Sequence, residues 1–258
     1  MKNLYIIPDM ANIEESCRLA DEYNLAFEYN DFFKPAVLKD DELIKEKIAF
    51  YKNLKRDRSS DTLHGAFYDI TIHSDDPDIY EISKKRIVKC MEIAKELGVK
   101  GVIFHTNFIA NFKEDFYKRG WLIKNEQFFR ELANKYQDID IYMENMFDDE
   151  ADLLAELAKQ LSDLKNFGVC FDVAHERVFG IKDFKEQLKP YTRHMHINDN
   201  NGLSDQHKPV GEGIVDWKAY SDFASEVKPS VLIEVTSIEG QKKSIEFLKN
   251  NHLYPFNR

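Results

Sequence analysis

Gly101-Val102-Ile103-Phe104-His105 is a run of apolar residues closed by a side chain that can bind a metal, and its pattern decides the fold. The same pattern recurs at Leu63-His64, Met143-Glu144, Phe171-Asp172, Met195-His196 and Ile233-Glu234. Each run has the length of a buried strand, and each is followed by loop or helix sequence. If the runs are neighbouring parallel strands, six polar tips converge on one mouth. Ionisable groups at the ends of buried strands are costly unless they are paired or hold a metal.

Outward from these ends the chain alternates strand and helix. Strands are expected at residues 4–7, 25–29, 62–67, 101–105, 139–144, 169–172, 194–197 and 231–235. Helices are expected at about 12–23, 40–54, 77–97, 122–136, 150–164, 182–188, 217–226 and 241–250. The helix at 77–97 has the clearest signals: Asp76 before Pro77 as a start and Gly98 as a stop. Eight strand–helix units in 258 residues predict an α/β fold, a (β/α)8 TIM barrel, as a single domain over residues 1–258. An open doubly wound sheet would carry a glycine-rich phosphate turn after an early strand, and none is present. In such barrels the functional site lies at the C-terminal ends of the strands, where the polar tips are. Val102, Ile141, Val169 and Val231, in mid-strand, are expected to fill the barrel.

Composition narrows the classes. Hydrophobic residues make up 43% and charged residues 32%, the balance of a globular protein, and no apolar stretch is long enough to span a bilayer. Residues 1–10 lack the basic segment and long apolar core of a signal peptide, so a cytoplasmic protein with no membrane partner is expected. Cys17, Cys90 and Cys170 are widely spaced and odd in number, which points to reduced thiols; Cys170, within a strand, is expected to be buried. The net charge of -10 disfavours nucleic acid as a partner without excluding it, because bound cations would reverse the field at the site. A homo-oligomer is compatible with all of this.

Glu144, Asp172, His196 and Glu234 form the strongest set. Three carboxylates and an imidazole suit a divalent cation such as manganese, zinc or cobalt. His64 and His105 end two further strands and would serve a second metal or donate to an oxyanion. His175 follows Asp172 by three residues, and with Asp205 and His207 it makes a third set of two histidines and a carboxylate, so one to three cations per chain are expected. His194 alternates with His196 and is expected one layer deeper as a hydrogen-bonded core residue. His73, in an acidic loop, is expected to be solvated.

These residues, with His64-Gly65-Ala66-Phe67, Glu144-Asn145, Asp172-Val173-Ala174-His175, His196-Ile197-Asn198-Asp199 and the stretch from Asp205 to Gly213, resemble the xylose-isomerase-like superfamily. That superfamily includes sugar isomerases and epimerases together with endonuclease IV. The first branch implies one cation at Glu144, Asp172, His196 and Glu234, with Glu144 and Glu234 moving protons on a sugar or sugar phosphate through an enediolate. His175 would then position substrate. The run Gly211–Trp217 is similar to a stretch common in that branch. The second branch implies three zinc ions on all nine residues (His64, His105, Glu144, Asp172, His175, His196, Asp205, His207, Glu234) and hydrolysis of the phosphodiester at abasic DNA.

The rim separates the two. A duplex-binding enzyme needs phosphate-contacting Lys and Arg. The loops offer Lys34, Lys113, Lys118, Arg119 and Arg177, the last a candidate for a substrate phosphate, against Asp75, Asp76 and Asp78. Phe108, Phe112, Phe116, Tyr117 and Trp121 after the fourth strand, and Phe67 and Tyr68 after the third, would stack on a sugar or cover the barrel. A metal-stabilised binding protein without turnover, and dehydration of a cyclic hydroxy-ketone, are further classes. Both carboxylates needed for proton transfer are present, so a metal-dependent isomerase or epimerase is the expected function.

Overall fold

A computed structural model describes residues 2–180 and 184–257. Strands β1 (Leu4–Ile6), β2 (Ala26–Tyr29), β3 (Thr62–His64), β4 (Gly101–His105), β5 (Asp140–Glu144), β6 (Phe167–Asp172), β7 (Thr192–Ile197) and β8 (Ser230–Ile233) close into a barrel in sequence order. Every neighbouring pair is parallel, and β8 returns to β1. The helices around it are α1 (Ile13–Tyr23), α2 (Pro35–Leu38), α3 (Asp41–Lys52), α4 (Pro77–Leu97), α5 (Asp115–Lys135), α6 (Asp152–Gln160), α7 (Val173–Phe179), α8 (Phe184–Leu188), α9 (Trp217–Val227) and α10 (Ile238–Asn250). This is the expected TIM barrel.

Helix α4 shows why the local signals work. Asp76 accepts hydrogen bonds from the backbone N–H groups of Asp78 and Ile79, and Gly98 closes the helix at φ 70°. Other elements depart from expectation. Helix α5 starts at Asp115, so Phe116, Tyr117 and Trp121 lie on a helix and not in a loop. Helix α7 follows β6 with no loop at all. The start of the next helix, expected at residue 182, falls outside the described residues; its described part, α8, begins at Phe184.

Period-two alternation sorts the strand residues. Where His105, Glu144, His196 and Glu234 face the mouth, the residues two positions earlier point inward too, so Ile103, Tyr142, His194 and Leu232 fill the barrel. The expected fillers Val102, Ile141, Val169 and Val231 instead join the large cluster that packs the strands against helix residues such as Ile87, Met91 and Phe129. Ile103, Tyr142 and Cys170 form a separate small cluster, as do Tyr5, Ile7, Ala26 and Leu232. Register then sets the site: β4 lies beside β5 with His105 opposite Glu144, and β6 beside β7 with Asp172 opposite His196.

The run Gly211–Trp217 has a structural task. Asp199, just past β7, accepts hydrogen bonds from Gly211 N at 3.0 Å, Val215 N at 3.2 Å and Trp217 Nε1 at 2.8 Å. A Cβ on Gly213 would lie 2.2 Å from Asp199 Oδ1, so only glycine lets the loop wrap this carboxylate.

A buried carboxylate likewise ties β2 to β3. Asp61 accepts from Phe27 N at 2.8 Å and Tyr29 Oη at 2.7 Å, and pairs with Arg56 Nη2 at 3.0 Å. Replacing Asp61 with Ala removes the acceptor of this donor set and leaves a nearly buried guanidinium without its carboxylate. The expected loss is roughly 3–5 kcal/mol in urea unfolding; a loss of less than about 1 kcal/mol would show the staple to be dispensable.

Candidate metal centre

The described residues bring all nine candidate ligands to the C-terminal end of the barrel. His64, His105, Glu144 and Asp172 are the last residues of their strands, His196 the penultimate residue of β7, and Glu234 the first after β8. His175 sits on the first turn of α7, and Asp205 and His207 on the loop after β7. Asp172 caps α7 by accepting from His175 N at 2.5 Å, which fixes the two side chains one turn apart. Asn145 clamps the neighbouring strand ends, accepting from Asp172 N and donating to Asp172 O.

Glu144 is the hub, fully buried. Its Oε2 lies 3.0 Å from His105 Nε2 and 3.6 Å from His64 Nε2, and its Oε1 lies 3.1 Å from His196 Nδ1 and 3.5 Å from His175 Nδ1. Glu144, Asp172, His196 and Glu234 each offer a ligand atom, all within 4.8 Å of one another. On the other flank, Asp205 Oδ2 lies 2.7 Å from His207 Nε2 and 3.4 Å from His175 Nε2.

The histidines are oriented from behind. His64 Nδ1 donates to Gly65 O, His175 Nδ1 to Asn145 O and His207 Nδ1 to Glu234 O, at 3.1, 2.8 and 3.1 Å. His105 Nδ1 faces Met146 Sδ at 3.0 Å. In a neutral imidazole, a nitrogen that donates backward leaves the other free to bind a cation, which is how a ligand imidazole is held. Bare Nε2 atoms of His64 and His105 then face each other at 3.1 Å beside Glu144 Oε2, an arrangement that calls for a cation or a shared proton. Glu144 Oε2 and Asp172 Oδ2 are buried with no aligned hydrogen bond among the described residues. The donor set and these orphaned oxygens fit divalent metal.

Charge follows the same logic. Burial would raise the Glu144 carboxyl, yet the imidazoles of His196 and His105 hold it well below the carboxylate range. Asp172 is pushed up to about 8 by burial, reinforced by the Glu234 and Glu144 charges. Burial would lower His207, but Glu234 and Asp205 raise it to about 9. Oppositely shifted neighbours mark functional clusters.

Above the centre opens a cavity of about 540 Å³. His64, His105, His175, Asp205, His207 and Glu234 line it, whereas Glu144, Asp172 and His196 lie beneath the lining. Its walls are aromatic. Phe33 stacks on Phe67 at 5.0 Å, Phe67 on His105 at 4.5 Å, and Phe147 meets Phe179 edge-on at 5.0 Å. The aromatic residues expected from the segment after β4 do not line it: Phe108 and Trp121 are buried, and Trp121 Nε1 donates to Thr106 O. Arg177 is exposed and is not among the lining residues. His73 is half-buried beside Tyr117 Oη, and burial with the Lys124 charge lowers it to about 4, so it is not a solvated residue. His194 is a buried, hydrogen-bonded barrel residue, as expected.

The family model for xylose isomerase-like TIM barrels matches residues 20–251. The chain belongs to that family. It is 28% identical over 203 residues to the uncharacterised Methanocaldococcus jannaschii protein MJ1311, covering 72% of this chain and 68% of that one. A probable endonuclease 4 of Nitrosopumilus maritimus is 26% identical over 199 residues, covering 67% and 69%. Among solved structures, the Thermus thermophilus TTHB071 protein soaked with zinc chloride superposes with a TM-score of 0.76 at 19% identity, covering 96% and 97%. A D-tagatose 3-epimerase-like protein superposes at 0.75 and 24% identity, covering 97% and 96%. No described helix of this xylose-isomerase-like barrel is long and apolar enough to cross a membrane.

Sequence reading missed Phe33 and Phe147 in loops and Phe179 at the end of α7, isolated aromatics with no pattern to mark them, and Asp148. Asp148 accepts from Thr106 Oγ1 at 2.6 Å and Met146 N at 2.8 Å, and so holds the loop that carries Met146 and Phe147 to the wall. Burial outweighs those bonds and raises its carboxyl from 3.8 to about 6. A carboxyl raised on folding lends stability that is full below about pH 4 and lost as the pH climbs through 6. Asp148→Asn, always neutral, should therefore gain on the parent between pH 4 and 7.5, by on the order of 3 kcal/mol in urea unfolding of metal-free protein. Parallel pH profiles for the two proteins would refute this account of Asp148.

Proposed function

We propose that this mouth is the active site of a divalent-metal-dependent sugar isomerase or epimerase. The observation that carries the reading is the buried cage of Glu144, Asp172, His196 and Glu234 beneath a cavity whose described lining contains aromatic walls and no Lys or Arg. Aromatic faces suit the C–H face of a sugar. The absence of Lys and Arg from that described lining favours an uncharged polyol over a phosphate ester. The likeness to a D-tagatose 3-epimerase-like protein supports the same substrate class.

Glu144, Asp172, His196 and Glu234 would hold the cation, which when bound would polarise an α-hydroxy carbonyl and acidify the adjacent C–H. Glu234 reaches the cavity wall and is the carboxylate placed to take the carbon-bound proton and give an enediolate. Glu144, lower in the cage, is the second carboxylate of the pair. Returning the proton to the neighbouring carbon isomerises the sugar; returning it to the opposite face epimerises it. His175, held by Asn145 O and facing the cavity, would position hydroxyl groups.

A second reading, hydrolysis of abasic-site phosphodiesters with up to three zinc ions, is favoured by the convergence of all nine residues and by the name of the Nitrosopumilus relative. Metal analysis of protein purified without chelators, followed by a ketose screen and an abasic-duplex cleavage assay, separates them. The first reading expects ketose turnover that chelators abolish and manganese, cobalt or zinc restores. It also expects Glu234→Gln at saturating metal to lower kcat by about 10²- to 10⁴-fold with the fold intact. Strand cleavage with no ketose turnover would replace it by the second.

A further inference from the structure

Four of the five imidazoles at the centre turn Nδ1 outward, to a carbonyl or thioether, and Nε2 toward the cluster. His196 is reversed. Its Nδ1 faces Glu144 Oε1 at 3.1 Å and Glu234 Oε2 at 3.6 Å, and its Nε2 lies 3.1 Å from Oε1 of Glu28 on β2. We infer that Glu28 is a positioning residue, which takes the Nε2 proton of His196 in a hydrogen bond and thereby presents a bare Nδ1 to the metal centre. This rests on the metal-site reading above and concerns a residue outside the cage.

Glu28 is itself held on one side. Its Oε2 accepts from Thr62 Oγ1 at 2.7 Å and lies 3.2 Å from His194 Nε2. His194 is fixed in turn by a 2.6 Å hydrogen bond between Nδ1 and Ser230 Oγ, and its ring stacks on Tyr142 at 5.4 Å. That leaves Oε1 3.1 Å from His196 Nε2, both atoms buried and neither satisfied by any other aligned hydrogen bond among the described residues. Without metal, Nδ1 is hydrogen-bonded to Glu144 Oε1; a cation bound at Nδ1 would displace that hydrogen and leave the imidazole's remaining one on Nε2, where an ionised carboxylate, which only accepts, would hold it. Packing alone does not account for a fully buried carboxylate among barrel-filling side chains. An apolar residue of similar volume would serve stability as well or better. What it could not do is hold the histidine proton.

The test is cobalt(II) titration of metal-stripped protein, followed by visible absorption, in the parent and in Glu28→Met and Glu28→Gln. Glu28→Met fills the space without an acceptor. It should keep the thermal midpoint of the metal-free protein yet weaken cobalt binding about 10- to 100-fold. Glu28→Gln retains an acceptor oxygen and should recover most of that loss. Unchanged cobalt affinity and spectrum in Glu28→Met would overturn the inference. If Glu28→Met does not fold, long-range proton–nitrogen NMR of the zinc-loaded parent decides: hydrogen on His196 Nε2 upholds the assignment, and hydrogen on Nδ1 sinks it. A parent that binds no cobalt defeats the metal reading itself. In that case this inference falls with it, whereas cobalt binding of unchanged strength in Glu28→Met overturns the inference alone.

Discussion

The structure turns on one buried carboxylate. Glu144 is withdrawn from water at the end of β5, and imidazoles on four sides are its nearest polar neighbours. An isolated carboxylate there would be neutralised by its surroundings or would unfold them. The imidazoles supply the compensation, and each needs its own support from a carbonyl, a thioether or a second carboxylate. Strand register, the loop-free junction of β6 and α7, and the Asn145 clamp all serve to deliver those partners. Even so, the balance is incomplete: with Asp172 raised and His207 raised nearby, protons are being shared among groups that a divalent cation would satisfy together.

How much of this the sequence carried depends on the kind of signal. The strand ends were legible because a ligand-type residue after an apolar run is conspicuous, and because the pattern recurs. The fold followed from the spacing of those runs. The inward face was misassigned although the same residues encode it: a ligand at the mouth fixes the parity of its strand, so Ile103 and Tyr142 fill the barrel and Val102 and Ile141 do not. Strand β2 ends in no candidate ligand, so the same rule leaves Glu28, an acidic residue on an inward position, unmarked in the sequence. Phe33, Phe147 and Phe179 carry no such mark, because a single aromatic residue in a loop or at a helix end reads the same whether it lines a cavity or covers a surface. Arg177 shows the converse: a suitable residue two positions from a ligand on a helix points elsewhere.

Family resemblance also divides into two kinds of residue. The stretch from Gly211 to Trp217 wraps Asp199, donating three hydrogen bonds to one carboxylate and requiring glycine at 213 for clearance. It organises the loop that delivers Asp205 and His207, and none of its residues lines the described cavity. Such a motif identifies the scaffold. The chemistry is argued from the cage and the walls, since the same barrel supports several reactions.

The walls are what tilt the choice between substrates. Phosphodiester binding at a duplex draws its affinity from cationic side chains arranged along the backbone. Here Lys113 pairs with Asp149, Lys118 lies 3.8 Å from Glu150, and Lys34 sits over the Phe33 ring, so each of these rim lysines already has a neighbour. Two aromatic walls face a cavity of about 540 Å³, sized for a small molecule and not for a groove-spanning duplex. With no Lys or Arg in the described lining, positive charge in this mouth comes from its histidines and would come from a bound cation, so an anion would be recognised low in the mouth while the walls recognise shape and apolar surface. A substrate that offers adjacent oxygens to the cage and a C–H face to Phe67 uses both features at once, and that description fits a ketose more closely than it fits DNA.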